Sequence, residues 1–350
     1  MKKPAMVLLL LALNSGANAE VFCVADGDAL QDALLAAEAN GEDDEIRLAG
    51  GATFISPGFT FDFRPEEDHD HILSGGWESG QSDKCSTQVI DPESSVLDGE
   101  GQRPVMFMNS VNSGRITVQN LTIQNGFSTG ASGGIRVANA GPVSVEGIIV
   151  RGNQSGEFDA ALDVFSMDEV LVAGNLVAEN KCPNSVCGLG VLANLAEYPE
   201  TPKIFIVHNT IVGNLADNPD FASGLIVGGN NRALVANNVI VDNAGADVSI
   251  SLAAIVRNNG WGTVARLTTP DVSGTVLLGD PGFVDAAAED YRLHPGSQLV
   301  DAGADIDPNY LPVLSLDGLS RINGPAPDIG AYESQRFVFS DGFENGNASQ

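Results

Sequence analysis

The sequence predicts an all-β solenoid, a parallel β-helix with an N-terminal capping helix. The first observation is a recurring Asn-bracketed, β-branched phrase: "NLTIQN" at 120–125, "GIIVRGN" at 147–153, "NLVAEN" at 175–180, "NTIVGN" at 209–214 and "NVIVDN" at 238–243. Matching the phrase ends at 125, 152, 180, 214 and 243 gives periods of 27, 28, 34 and 29 residues, and periods of this size mark solenoids. The second is that each period holds short β-rich runs and no helical pattern, as in "GGIRVANAGPVSVEGIIVRGN". The third is a helical pattern at the front, Leu30, Ala33, Leu34 and Ala37, placed to close one end.

The elements follow in order. Residues 1–19, "MKKPAMVLLLLALNSGANA", combine two lysines, an apolar run and a small-x-small site, the arrangement of a secretory signal peptide. No later stretch reaches the roughly 20 apolar residues of a membrane helix. Cys23, Cys85, Cys182 and Cys187 form an even set, which in an exported chain favours two disulfides. The short loop "CPNSVC" pairs Cys182 with Cys187 and leaves Cys23 for Cys85. Zinc at Cys-x4-Cys lacks a second ligand pair.

Residues 20–60 form the N-terminal cap: Asp28 is the expected N-cap, Asn40-Gly41 the stop, and "DEIRLAGGATFI" the first rungs. Coils fill 61–265. Inward Val, Ile and Leu alternate along each strand, and the corners need residues that tolerate a left-handed backbone. Asn125, Asn153, Asn180, Asn214 and Asn243 fit those corners, where stacked amides bond from coil to coil. The 34-residue period carries a polar loop at 196–203. Beyond Trp261 the chain turns irregular and Pro-rich, giving a closing region at 266–334 and a tail at 335–350.

Without Lys2 and Lys3 the formal charge is 15 − 46 = −31. Such a surface repels nucleic acid and bare polyuronates unless a divalent cation intervenes.

"DPGFVDAAAEDYRLHPGSQLVDAG" at 280–303, with "DGLSR" at 317–321 and "DIGAYE" at 328–333, resembles the choice-of-anchor Q domain. Residues 100–265 are similar to the pectin-lyase-like superfamily. The opening, "ALQDALLAAEANGEDDEIRLAGG", resembles surface β-helix proteins that begin with a CSLREA motif, although those letters are absent; "FVFSDGFENG" is similar to a short tail of exported proteins. These resemblances imply a right-handed, exported or cell-surface β-helix closed at its C-terminal end by the 266–334 domain. They imply no reaction, because the architecture serves lyases, hydrolases and binding proteins alike.

Residue by residue, the catalytic candidates are few. Arg136 and Asp163 fall in adjacent coils and pair either as base beside metal carboxylate or as a surface ion pair. Asp159 shares a face with Asp163, but four strand residues separate their backbones by roughly 13 Å, long for two glycosidase carboxyls. The next outward positions, Gly190, Ile226 and Ser249, add no ionisable group. His208 is expected near Lys181 as corner packing. Asp280, Asp285, Asp290, Asp301, Asp317 and Asp328 are spaced like turn and cap residues, with calcium as the other reading. Trp77 and Trp261 read as covers of the solenoid ends. The expectation is a monomeric, non-catalytic protein binding polysaccharide or cell-surface glycan, without a cofactor. The rival is a calcium-dependent polysaccharide lyase or a glycoside hydrolase centred on Arg136 and Asp163.

Overall fold

The computed structural model describes residues 19–78, 85–156, 161–183, 186–195, 200–218, 220 and 222–334. The chain winds through three parallel sheets, meeting each once per coil, as a parallel β-helix. The first sheet runs through Phe61–Phe63, Met106–Ser110, Ile135–Asn139, Leu162–Ser166, Leu189–Ala193, Ala222–Gly229 and the first half of Ala246–Arg257. The second begins with Glu20–Val24, Asp44–Ala49 and His71–Trp77 and continues from Ile116–Gln119 to the second half of Ala246–Arg257. The third runs from Ala52–Phe54 to Val276–Leu277. Parallel pairing thus extends on both sides of the 61–265 span. Alternation places Ile135, Val137, Leu162, Val164, Leu189 and Val191 inward at 0 to 2% exposure, in one continuous core.

The third sheet decodes the repeated phrase. Thr122, Ile149, Leu176, Thr210 and Val239 stand in register, so the coils are 27, 27, 34 and 29 residues apart. Each three-residue strand is bracketed on both sides by a left-handed residue followed by an inward one. In "HNTIVGN" the left-handed pair is His208 (φ 54°) and Gly213 (φ 67°); in "NNVIVDN" it is Asn237 and Asp242, both at φ 58°. Glycine takes this conformation without the Cβ clash that L-residues incur, and Asn and Asp are the residues that tolerate it best.

The inward residues form amide ladders. Asn153 donates its backbone N–H and Nδ2 to Asn180 Oδ1, Asn180 to Asn214, Asn214 to Asn243, and Asn243 to Asp247 Oδ1, at 2.8 to 3.2 Å. A second ladder, Asn175 to Asn209 to Asn238 to Asn259, lines the opposite corner. Asn125 is not a rung: its backbone is left-handed (φ 54°), in the column of Gly152, and Gly126 occupies the ladder position, donating its N–H to Asn153 Oδ1. The phrase ends 125 and 152 belong to the left-handed column and 180 to the ladder column, so the spacing of 28 between phrase ends exceeds the coil period of 27 by one residue.

The N-terminal helix is Gly27–Ala37, with Leu30, Ala33, Leu34 and Ala37 buried against the first rungs. Its cap is Asp26, whose carboxylate accepts from Ala29 N; Asp28 lies inside the first turn. Cys23 is joined to Cys85 and Cys182 to Cys187. No helix among the described residues is long and apolar enough to cross a membrane. Residues 1–18, the loop 196–199 and the tail 335–350 lie outside the described residues.

The C-terminal region departs from the expected end cap. Tyr291, Leu293, Leu299, Leu316, Ile329 and Ala331 pack on the outer face of the third sheet against Ile149, Leu176, Ala178, Val212, Val239 and Val241. Ile306, Ala304 and Leu311 continue onto the second sheet, where Tyr310 stacks on Phe205 at 3.4 Å between centroids. The segment runs along the side of the solenoid because those strands present apolar side chains outward as well as inward, and only a flanking segment can bury the outer row.

Candidate binding face

On the first sheet the outer face, on which no described segment packs as the C-terminal region does on the third sheet, carries two columns. One reads Asp62, Phe107, Arg136, Asp163, Gly190, Ile226 and Ser249 in register, the other Asn109, Ala138, Phe165, Leu192 and Gly228. Arg136 and Asp163 are cross-strand neighbours and make an ion pair, Nη1 to Oδ2 3.1 Å, with side chains 40% and 20% exposed. At this exposure the pair contributes about 0 to 1 kcal/mol. Phe107 stands on one side of it and Gly190 on the other, so no further ionisable side chain adjoins it along the column. Asp159 lies outside the described residues.

Around the ion pair the face is apolar. Phe107, Phe165 and Ile226 are half-buried and Leu192 is 41% exposed. Glycines at 190 and 228 leave the surface between them low and flat. Two rungs of about 4.8 Å and two residues along the strand put Phe107 and Phe165 about 12 Å apart at the backbone. Phe165 and Leu192 lie outside the Arg136 column, one outward position further along their strands.

The other singled-out residues are structural. His208 does not meet Lys181. It stands in the corner that precedes the third-sheet strand, whereas Lys181 follows that strand and pairs with Leu215. The two adjoin asparagines of different ladders, Asn209 and Asn180. His208 is fully buried, and Asn237 Nδ2 donates to its Nε2 at 2.9 Å. Burial, and then the nearby Arg321 charge, holds its pKa well below the ordinary histidine value.

Arg321, 2% exposed, explains "DGLSR" and "DIGAYE". Its guanidinium donates to the carbonyls of Asp328, Gly330, Ala331 and Tyr332 and to Glu333 Oε2 at 2.7 Å. Burial pushes the Glu333 carboxyl up and the guanidinium down, and the contact between them opposes both shifts. A guanidinium with this many acceptors stays charged. Asp328 accepts from the Asp301 and Ser334 amides, Asp280 from Gly282 N and Asp285 from Ala288 N; Asp317 accepts from Ser315 Oγ and Asp290 from Arg292. These are turn, capping and pairing roles. Among the described residues no group of three or more His, Cys, Asp or Glu side chains is placed to hold a metal ion.

Trp77 is 5% exposed beneath Arg47, whose Cζ lies 4.0 Å from the ring centroid, and Trp261 is 4% exposed inside the core. Neither ring is available for stacking a sugar. A buried pair at the N-terminal end brings His71 Nδ1 within 3.3 Å of Asp44 Oδ2. No protein-family model matches the chain, and no curated protein sequence is significantly similar to it.

Proposed function

We propose that this is an exported or cell-surface, pectin-lyase-like β-helix protein that binds a polysaccharide or cell-surface glycan on the outer face of the first sheet without cleaving it. The observation that carries the reading is the flat apolar platform of Phe107, Phe165, Leu192 and Ile226 around the Arg136–Asp163 ion pair. A sugar presents an apolar C–H face that packs on aromatic rings while its hydroxyls remain in water, and Arg136 and Asp163 supply a donor and an acceptor at the centre. The export part rests on the sequence of residues 1–19 and on four cysteines in two disulfides. The strongly acidic chain disfavours a polyanionic ligand and favours a neutral one. The choice-of-anchor Q resemblance supports a surface location and leaves the ligand open.

The lyase or hydrolase reading draws on the same Arg136 and Asp163. It would need a third converging group or a cation beside them. Binding to a panel of neutral and uronate polysaccharides, measured for the parent and for Phe165→Ser/Leu192→Ser, locates the site. Each lost apolar contact is worth about 1 kcal/mol, so the double variant should bind about tenfold more weakly or worse with an unchanged melting temperature. Undiminished binding in the double variant would remove the face from the account.

A further inference from the structure

Among the described residues the C-terminal end of the solenoid is open. Its last rung, Val264–Ser273 followed by Val276–Leu277, pairs with the preceding strands on one side, and no described strand pairs with the other. Residues that repeat inward positions of the rung below stand at the surface. Val264 over Val248 is 39% exposed against 0%, Val272 over Val256 is 42% against 0%, and Leu277 over Trp261 is 74% against 4%. Leu267, over Ile250, is half-buried. The helix Gly27–Ala37 closes the opposite end, and the described C-terminal segment packs on the flank. A free edge above an apolar core is a surface for association, and folded proteins keep such edges covered.

We infer that a second copy of this chain covers the end, in a two-fold dimer joined C-terminal end to C-terminal end, in place of the monomer expected from the sequence alone. Three observations select a copy as the occupant. First, the chain carries a formal charge of −29, so two copies repel over most of their surfaces. Between Asp247 and Asp280 the ionisable residues are Arg257, Arg266 and Asp271, and this stretch has no net negative charge to oppose contact. Second, the last rung is complementary to itself. It crosses two sheets, 264–267 over the first and 269–273 over the second, with its bend at Thr268. A two-fold axis through that bend, perpendicular to the solenoid axis, lays each arm on the other arm of the second copy. Arg266 and Asp271 lie almost equally far from the bend. Both point outward, in register with Ser249 and Ile255, whose neighbours Ile250 and Val256 point into the core. Arg266 of each copy therefore meets Asp271 of the other, so the contact is made twice. Arg266 is exposed, and Asp271 holds Arg257 at 2.7 Å with 66% of its side chain still exposed. Third, the same axis brings Val264, Leu267, Val272 and Leu277 of both copies into one layer that shuts both cores. An isologous contact of this kind closes at two copies. The rung offers fewer residues than the roughly 20 to 30 a side of a standard interface, so association is weak and depends on concentration.

Sedimentation equilibrium of the full chain across a concentration series tests this, with circular dichroism confirming that each variant is folded. The parent should pass from one copy to two and stop there. Arg266→Asp and Asp271→Arg each set like charges against one another at both contacts, so each variant alone should dimerise at least tenfold more weakly. An equal mixture of the two variants should associate again, because opposite charges then face each other at both contacts. A parent that remains a single copy throughout the series would overturn the inference, as would assembly beyond two copies. A dimer that neither substitution weakens, or a mixture that associates no better than its components, would overturn it equally.

Discussion

Asn214 sits at the middle of one amide ladder: its amide N–H and Nδ2 reach Asn243, Nδ2 also reaches Val177 O and Val212 O, and its Oδ1 accepts twice from Asn180. Asn214→Leu leaves buried donors and a carbonyl unsatisfied, at about 1 to 3 kcal/mol each. The melting temperature should fall by several degrees in circular dichroism, and an unchanged value would show that the ladder contributes nothing. Asp44 and His71 form the other instructive pair. Burial raises the Asp44 carboxyl from 3.8 to about 6 and lowers His71 below 6.5. A raised carboxyl contributes stability that is present below about 4 and lost as pH rises through about 6, whereas a lowered histidine contributes stability present above 6.5 and lost as pH falls. Asp44→Asn keeps the shape and the bond from Asn40 while removing the carboxyl's half of this balance. The variant should match the parent near about pH 4 and melt a few degrees higher near about pH 7, measured by thermal melts across that range. A constant difference at every pH would contradict the assignment to Asp44.

At the scale of elements, the flank-packed C-terminal segment depends on Arg321. Arg321→Met removes the donors that gather the carbonyls of 328–332 and leaves Glu333 buried without its partner, a change of about 3 to 5 kcal/mol for a buried pair. The segment should become cleavable by protease between 278 and 334 while the coils stay resistant. Uniform loss of protection along the whole chain would mean that segment and coils unfold as one unit. The repeated phrase, the capping helix and the first rungs were legible in the sequence because their periodicities are local and their side chains point one way. The second asparagine ladder was harder to read, since Leu121 and Ile148 occupy its positions in the earlier coils. The lateral seat of the C-terminal segment was not legible at all. Ile149, Leu176 and Val212 are unremarkable strand residues until the register turns them outward, and nothing local distinguishes an apolar residue facing a core from one facing a flanking segment.

On the scale of the whole molecule, one strip of the solenoid is hidden by its own C-terminal region, and another, the outer face of the first sheet, is covered by no such segment among the described residues. The sequence shows the Arg136–Asp163 pairing, because both residues follow their coil's left-handed corner by the same number of residues. It does not show the aromatic platform, which arises only when several coils stack Phe107, Phe165, Leu192 and Ile226 on a common face. The functional claim rests on that platform. The most direct test incubates the full chain with neutral and uronate polysaccharides, with and without millimolar calcium, following retention of the protein and release of new chain ends together. Calcium-independent retention of a glycan with no new ends is the predicted result. Cleavage that disappears in Arg136→Ala or Asp163→Ala, or that requires calcium, would contradict the account and make the face an active site.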